Sequence, residues 1–171
     1  MPVRERAVTP SLLQLEAIVS RLHGAAALSE ACRFLRHEFP QYRWVGVYRL
    51  EGATLVLDGW DGEQATEHTR IPLDRGVCGQ AAREGRTVIV DDVRESKEYL
   101  ACFRETRSEI VVPIRDGARV VGEIDIDGTE VGVYDASDQR FLERAAATLA
   151  RPIAEIVASS LKGDGATGPS P

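Results

Sequence analysis

The sequence predicts a single mixed α/β (α+β) domain, in which two helices precede a set of antiparallel strands and one long helix follows them. Three observations predict it. Leu12, Leu15, Ile18, Val19 and Leu22 recur at helical spacing near the start, and Leu28, Cys32, Leu35 and Phe39 repeat the pattern. Arg43 to Leu50 alternates in period two and meets the turn Glu51-Gly52, as a hairpin does. Phe141, Leu142, Ala145, Leu149, Ile153, Ile156, Val157 and Leu161 then form one apolar stripe.

Each element has its own start and stop signals. Thr9-Pro10-Ser11 offers a capping hydroxyl with proline at the first helical position, and Gly24 ends that helix. A second helix is expected from about Ala27 to Phe39, stopped by Pro40. In the first strand Trp44, Gly46 and Tyr48 share one face and Val45 and Val47 the other. A glycine between two aromatics marks a place where a ligand or a packed helix approaches the sheet. Ala53 to Leu57 reads as the returning strand, and Trp60 opens a polar stretch, Asp61 to Thr69, that reads as a loop. Arg70 to Leu73 is a short strand, and Gln80 to Glu84 a short helix closed by Gly85. Thr87 to Val90 is a strand ending in Asp91-Asp92, and Val93 to Arg107 shows no period. Ser108 to Arg115 and Arg119 to Asp127 form the last hairpin, where Val121, Glu123, Asp125 and Asp127 share a face. A two-residue connection would set Glu109 opposite Ile124, whereas a three-residue connection with a glycine bulge sets it opposite Asp125; the bulged form is expected. Asp135 is a good N-cap for the closing helix, and Pro152 is a place for it to bend.

With 171 residues and 43% hydrophobic content the chain can bury a sizeable core as one domain. A net charge of -6 argues against nucleic acid, which needs a basic face. No apolar run has the length of a signal peptide or a bilayer span, so a cytoplasmic protein without membrane contact is expected. Three cysteines in such a chain are no disulfide framework. Cys32 lies on a helical stripe and reads as a small buried hydrophobe.

Cys78 and Cys102 are the chemical candidates. Cys78 sits in Arg75-Gly76-Val77-Cys78-Gly79-Gln80, between glycines and before a helix, where the helix N-terminus favours thiolate over thiol. Cys102 lies 24 positions later in the irregular segment. One thiolate could reduce an oxidised sulfur and the other condense with the resulting sulfenic acid; equally, both could be incidental small residues. Metal binding is not expected, because no C-x-x-C occurs and His23, His37 and His68 form no paired motif. Glu109, Asp125 and Asp127 are either a solvated edge or an acid-lined pocket for a small cationic or zwitterionic ligand.

The order of elements, with the runs RGVCGQAA, TVIVDDV, SEIVVPI and VVGEIDID, resembles a GAF domain over about residues 42–142. With Trp44-x-Gly46-x-Tyr48, the two cysteines and Asp125-Ile126-Asp127 it resembles more narrowly the free methionine-(R)-sulfoxide reductases. The resemblance implies a central antiparallel sheet with the N- and C-terminal helices on one face and a ligand pocket on the other. With the terminal helices read from their periodicity, one GAF domain is expected at 1–162, with N-terminal helices 10–39, core 42–142 and C-terminal helix 135–162, before a tail at 163–171 whose composition predicts disorder. The resemblance further implies reduction of free L-methionine (R)-S-oxide, without a cofactor, through a cysteine pair recycled by thioredoxin, in a homodimer. Cys102 would attack, since an irregular loop can carry it over a pocket, and Cys78 would resolve. Trp44 and Tyr48 would wall the methyl sulfoxide, and Glu109, Asp125 and Asp127 would hold its polar groups, with Asp92 a further pocket acid and Trp60 also against substrate. Two departures stand out: His68 replaces a third cysteine carried by many members, and Glu98-Tyr99-Leu100-Ala101-Cys102-Phe103 replaces the usual Gly-His-Ile-Ala-Cys-Asp. The alternatives are a ligand-sensing module without chemistry and a degenerate reductase that binds the sulfoxide but recycles poorly.

Overall fold

The structure, a computed structural model, describes residues 2–97, 99–101 and 103–163. Cys102 and residues 164–171 of the expected tail therefore lie outside the described residues. The elements are α1 (Pro2–Arg21), α2 (Gly24–Glu38), β1 (Trp44–Glu51), β2 (Thr54–Gly62), β3 (Arg70–Pro72), α3 (Gly76–Glu84), β4 (Val88–Val90), β5 (Ser108–Asp116), β6 (Arg119–Gly128) and α4 (Ala136–Gly163). A short 3-10 turn occupies Val93–Glu95. All neighbouring strands pair antiparallel, in the order β3-β2-β1-β6-β5-β4. No helix among the described residues is long and apolar enough to cross a membrane.

Helix boundaries depart from expectation for local reasons. α1 runs back through Pro10 to Pro2, which offers the same proline-first start, and Arg4 to Ala7 between them are tolerable helix formers. α2 begins at Gly24 rather than Ala27 because Glu155 of α4 accepts a hydrogen bond from the Gly24 amide at 2.8 Å, satisfying an end that has no cap of its own. The Asp135 carboxylate caps α4 as expected, accepting from the amides of Ser137 at 2.7 Å and Asp138 at 3.2 Å. Gly163 closes that helix instead of opening a tail.

The two sheet faces carry different chemistry. On one, Val45, Val47, Ile110, Val112, Ile124 and Ile126 pack under the three long helices through Leu15, Leu28, Leu35, Phe141, Leu142 and Leu149. On the other, Trp44, Tyr48, Leu55, Ile71, Val88 and Val111 meet Val77, Cys78 and Ala81 of α3. This is the separation of helices from pocket that the sequence predicts.

The β5–β6 register corrects one expectation. Gly117 and Ala118 make a two-residue turn, with Asp116 opposite Arg119, and the irregularity falls inside the strands, between Ile114 and Arg115. Glu109 consequently stands opposite Asp127, two residues from the expected Asp125. A shift of two leaves the side chain on the expected face. The irregularity also turns Val121 against the helix-side core, so it does not share a face with Glu123. β2 likewise outruns its expected end at Leu57: a bulge at Asp58, held by Arg49 at 2.7 Å, lets pairing continue until Trp44 faces Gly62. Trp60 therefore belongs to a strand.

Candidate active site

Alternation along β6 points Glu123, Asp125 and Asp127 to the face opposite the helices, and β5 adds Glu109 beside them. All four are buried, between 0% and 3% exposed. Among the described residues none forms an ion pair, and Glu109 Oε2 and both oxygens of Glu123, Asp125 and Asp127 make no hydrogen bond of regular geometry. Burial therefore pushes every one of these carboxyls up. Asp125 rises to about 6, while Glu109 and Asp127, each also repelled by Asp125, rise well above the usual carboxylate range, as does Glu123. Glu123 was not among the residues singled out from the sequence, although its place on the shared face was legible; only burial separates it from an ordinary surface acid.

Cys78 sits in the first turn of α3, not in a loop before it, and is 4% exposed. The helix begins four residues earlier than the expected Gln80 because Gly76, with φ of +69°, makes the entering turn. The expected thiolate is overturned. Burial, then the charges of Asp125, Glu123 and Glu109, push the Cys78 thiol well above its ordinary value. Cys32, at 0% exposed, is a buried core thiol as expected.

The aromatic rim is built by two glycines. Trp44 lies across Gly46 of its own strand and Gly62 of β2, and a Cβ at either position would run into the indole. The gap at Gly46 thus takes neither a ligand nor a helix but the neighbouring tryptophan. Trp60 stacks on Trp44 with centroids 6.4 Å apart and planes at 15°, and Phe103 tilts against it at 5.5 Å. Gly62→Ala is expected to displace the indole and cost about 1–3 kcal/mol, read as a lower melting temperature with a changed tryptophan emission; an unchanged spectrum would refute the packing. A cleft of about 480 Å³ is lined by Arg43, Trp44, Phe103, Thr106, Asp127 and Thr129, a volume that suits a small metabolite. Phe103 and Thr106 escaped sequence reading because their segment has no period.

The remaining candidates are placed as follows. Tyr48 is fully buried and donates to the His68 carbonyl at 2.8 Å. The His68 ring bonds the Ala101 carbonyl at 3.0 Å, tying β1, through Tyr48, and the loop after β2 to the segment that carries Leu100 and Phe103 over the acid face. Asp92 is held by Arg94 at 2.6 and 2.8 Å, which keeps its carboxyl low, at about 2.

A GAF domain profile matches residues 24–154. Free methionine-R-sulfoxide reductase of Escherichia coli K12 is 33% identical over 129 residues, covering 75% of this chain and 77% of that protein. The chain belongs to the GAF-domain free methionine-R-sulfoxide reductase family. The reductase of Saccharomyces cerevisiae is 34% identical over 153 residues, covering 84% of this chain and 83% of that one. The crystal structure of the reductase from Neisseria meningitidis in complex with its substrate superposes with a TM-score of 0.80 at 34% identity, covering 89% of this chain and 91% of that one. Membership in the reductase family agrees with the fold, in which α3 and the acid face enclose a thiol.

Proposed function

We propose that this oxidoreductase converts free L-methionine (R)-S-oxide to L-methionine. The observation that carries the reading is the set of four buried carboxyls lying against a thiol beneath an aromatic rim. In such a group some acids stay protonated and can donate to the sulfoxide oxygen, while an ionised neighbour pairs with the substrate ammonium. A peptide-bound residue lacks that ammonium, so the preference is for the free amino acid.

In the proposed sequence the Cys102 thiolate attacks the sulfoxide sulfur, a carboxyl proton goes to the oxygen, and methionine departs, leaving sulfenic acid on Cys102. The Cys78 thiol then attacks that sulfur, water leaves, and a disulfide forms; the dithiol of thioredoxin reduces it. A thiol kept protonated by its surroundings is a poor first attacker, whereas in the second step its proton can pass through the neighbouring carboxyls to the departing hydroxyl as the sulfur–sulfur bond forms. Trp44, Tyr48 and Trp60 would bound the methyl group, and Asp92 would act from the pocket's edge. Function in the cytoplasm as a homodimer belongs to the same proposal.

The test is NADPH consumption with thioredoxin, thioredoxin reductase and separated sulfoxide epimers. Turnover of the free R epimer, with none for the S epimer or a peptide-bound sulfoxide, is the expected outcome. No turnover of the free R epimer with a saturating dithiol would sink the reading.

A further inference from the structure

We propose that Cys78, Glu109 and Asp125 form a capture site for a thiophilic divalent cation such as Zn²⁺ or Cd²⁺, and that loading it blocks the redox chemistry. Spacing along the chain speaks against a metal site, yet the fold gathers three donors from α3, β5 and β6. The Cys78 sulfur and a carboxylate oxygen from each acid lie within 4.8 Å of one another. Bond lengths of about 2.3 Å to sulfur and 2.0–2.2 Å to oxygen put tetrahedral ligands nearer than that, so the donors need only close inward by about 1 Å.

A second observation points to a guest. Glu109 Oε2 and both Asp125 oxygens are buried and make no hydrogen bond of regular geometry among the described residues; the two carboxyls and the Cys78 thiol lean on one another, the very groups an ion would gather. Beside them a void of about 10 Å³ is lined by Cys78, Glu109, Val77 and Leu100. That is about the space of one water-sized sphere, enough for a dehydrated ion and too little for a hydrated one. Thiolate with carboxylate selects zinc or cadmium over magnesium, which keeps its waters and its octahedron of oxygens. Glu123, whose charge also bears on Cys78, can complete the set. Binding exchanges the thiol proton and any carboxyl protons for the ion, so affinity rises with pH. A metal-bound Cys78 could neither condense with a sulfenic acid nor leave Asp125 free for an ammonium. This blockade rests on the proposed reductase reading; the binding does not.

The test is a titration of the reduced full-length protein with CdCl₂ and with ZnCl₂, followed by calorimetry and, for cadmium, by the ultraviolet sulfur-to-metal charge-transfer band. One equivalent should bind, with the band lost in Cys78→Ser. Glu109→Gln, which keeps the side-chain shape, should keep the band but weaken affinity at least tenfold. Absence of a band at one equivalent, a band that survives Cys78→Ser, or Mg²⁺ competing as well as Zn²⁺ would overturn the site. Saturating cadmium with undiminished epimer turnover would overturn the blockade. The band needs no turnover, so failure of the reductase reading would show separately in the epimer assay.

Discussion

Cys102→Ser is expected to abolish both thioredoxin-coupled turnover and the single stoichiometric reduction of sulfoxide, whereas Cys78→Ser loses the first and keeps the second. The asymmetry follows from the surroundings of Cys78. The residue is 4% exposed, and burial, with the charges of Asp125, Glu123 and Glu109 beside it, disfavours the thiolate that attack requires. Removing it should leave the first step intact and strand the enzyme after one equivalent. Multiple turnover should fall by at least about a thousandfold in either variant, as when one member of a concerted pair is removed. Quenched single-turnover assays counting methionine per enzyme, with mass spectrometry of the spent protein, separate the cases. A full equivalent of methionine from Cys102→Ser and none from Cys78→Ser would exchange the two roles.

The second large effect is on stability. In metal-free buffer the melting temperature is expected to fall as pH rises from about 5 to about 8. A carboxyl whose proton is held more tightly in the folded chain keeps it after the unfolded chain, titrating near 4, has released it. Between those two titrations the native state binds more protons, so each step up in pH favours unfolding, by about 1.4 kcal/mol per pH unit for every extra proton. Asp125 spends its share between about 4 and about 6, and Glu109, Glu123 and Asp127 extend the loss upward. Asp92 and Glu155, lowered to about 2, act oppositely but below that window. Glu109→Gln should flatten the slope by up to one proton's worth and raise the melting temperature at the alkaline end. A melting temperature that climbs over the same range would show that the four acids are compensated.

The architecture was legible because each element announces itself in apolar period. Val45 and Val47 against Trp44 and Tyr48, or Ile124 and Ile126 against Asp125 and Asp127, separate the faces by alternation alone. The exact register was not legible, because turn length fixes pairing only if no bulge intervenes, and bulges at Val121 and Asp58 depend on contacts with other strands. The same limit hid the stacking of Trp60 on Trp44. The early start of α2 was invisible because its capping carboxylate, Glu155, arrives from α4, 131 positions away. Most consequential was Cys78. Its helix end suggests an acidic thiol, but the burial that chiefly decides its character, and the carboxyls of β5 and β6 that add to it, arise only after folding.

The outermost strands, β3 and β4, are three residues each. So short a border offers little backbone for a foreign strand to extend, which protects the molecule from ribbon-like aggregation. The proposed pairing of two copies would then use the helical layer, where Leu13, Val157 and Leu161, three of the five large apolar side chains that face solvent among the described residues, are found. Assembly and chemistry would occupy opposite sides of the sheet, so neither needs to disturb the other.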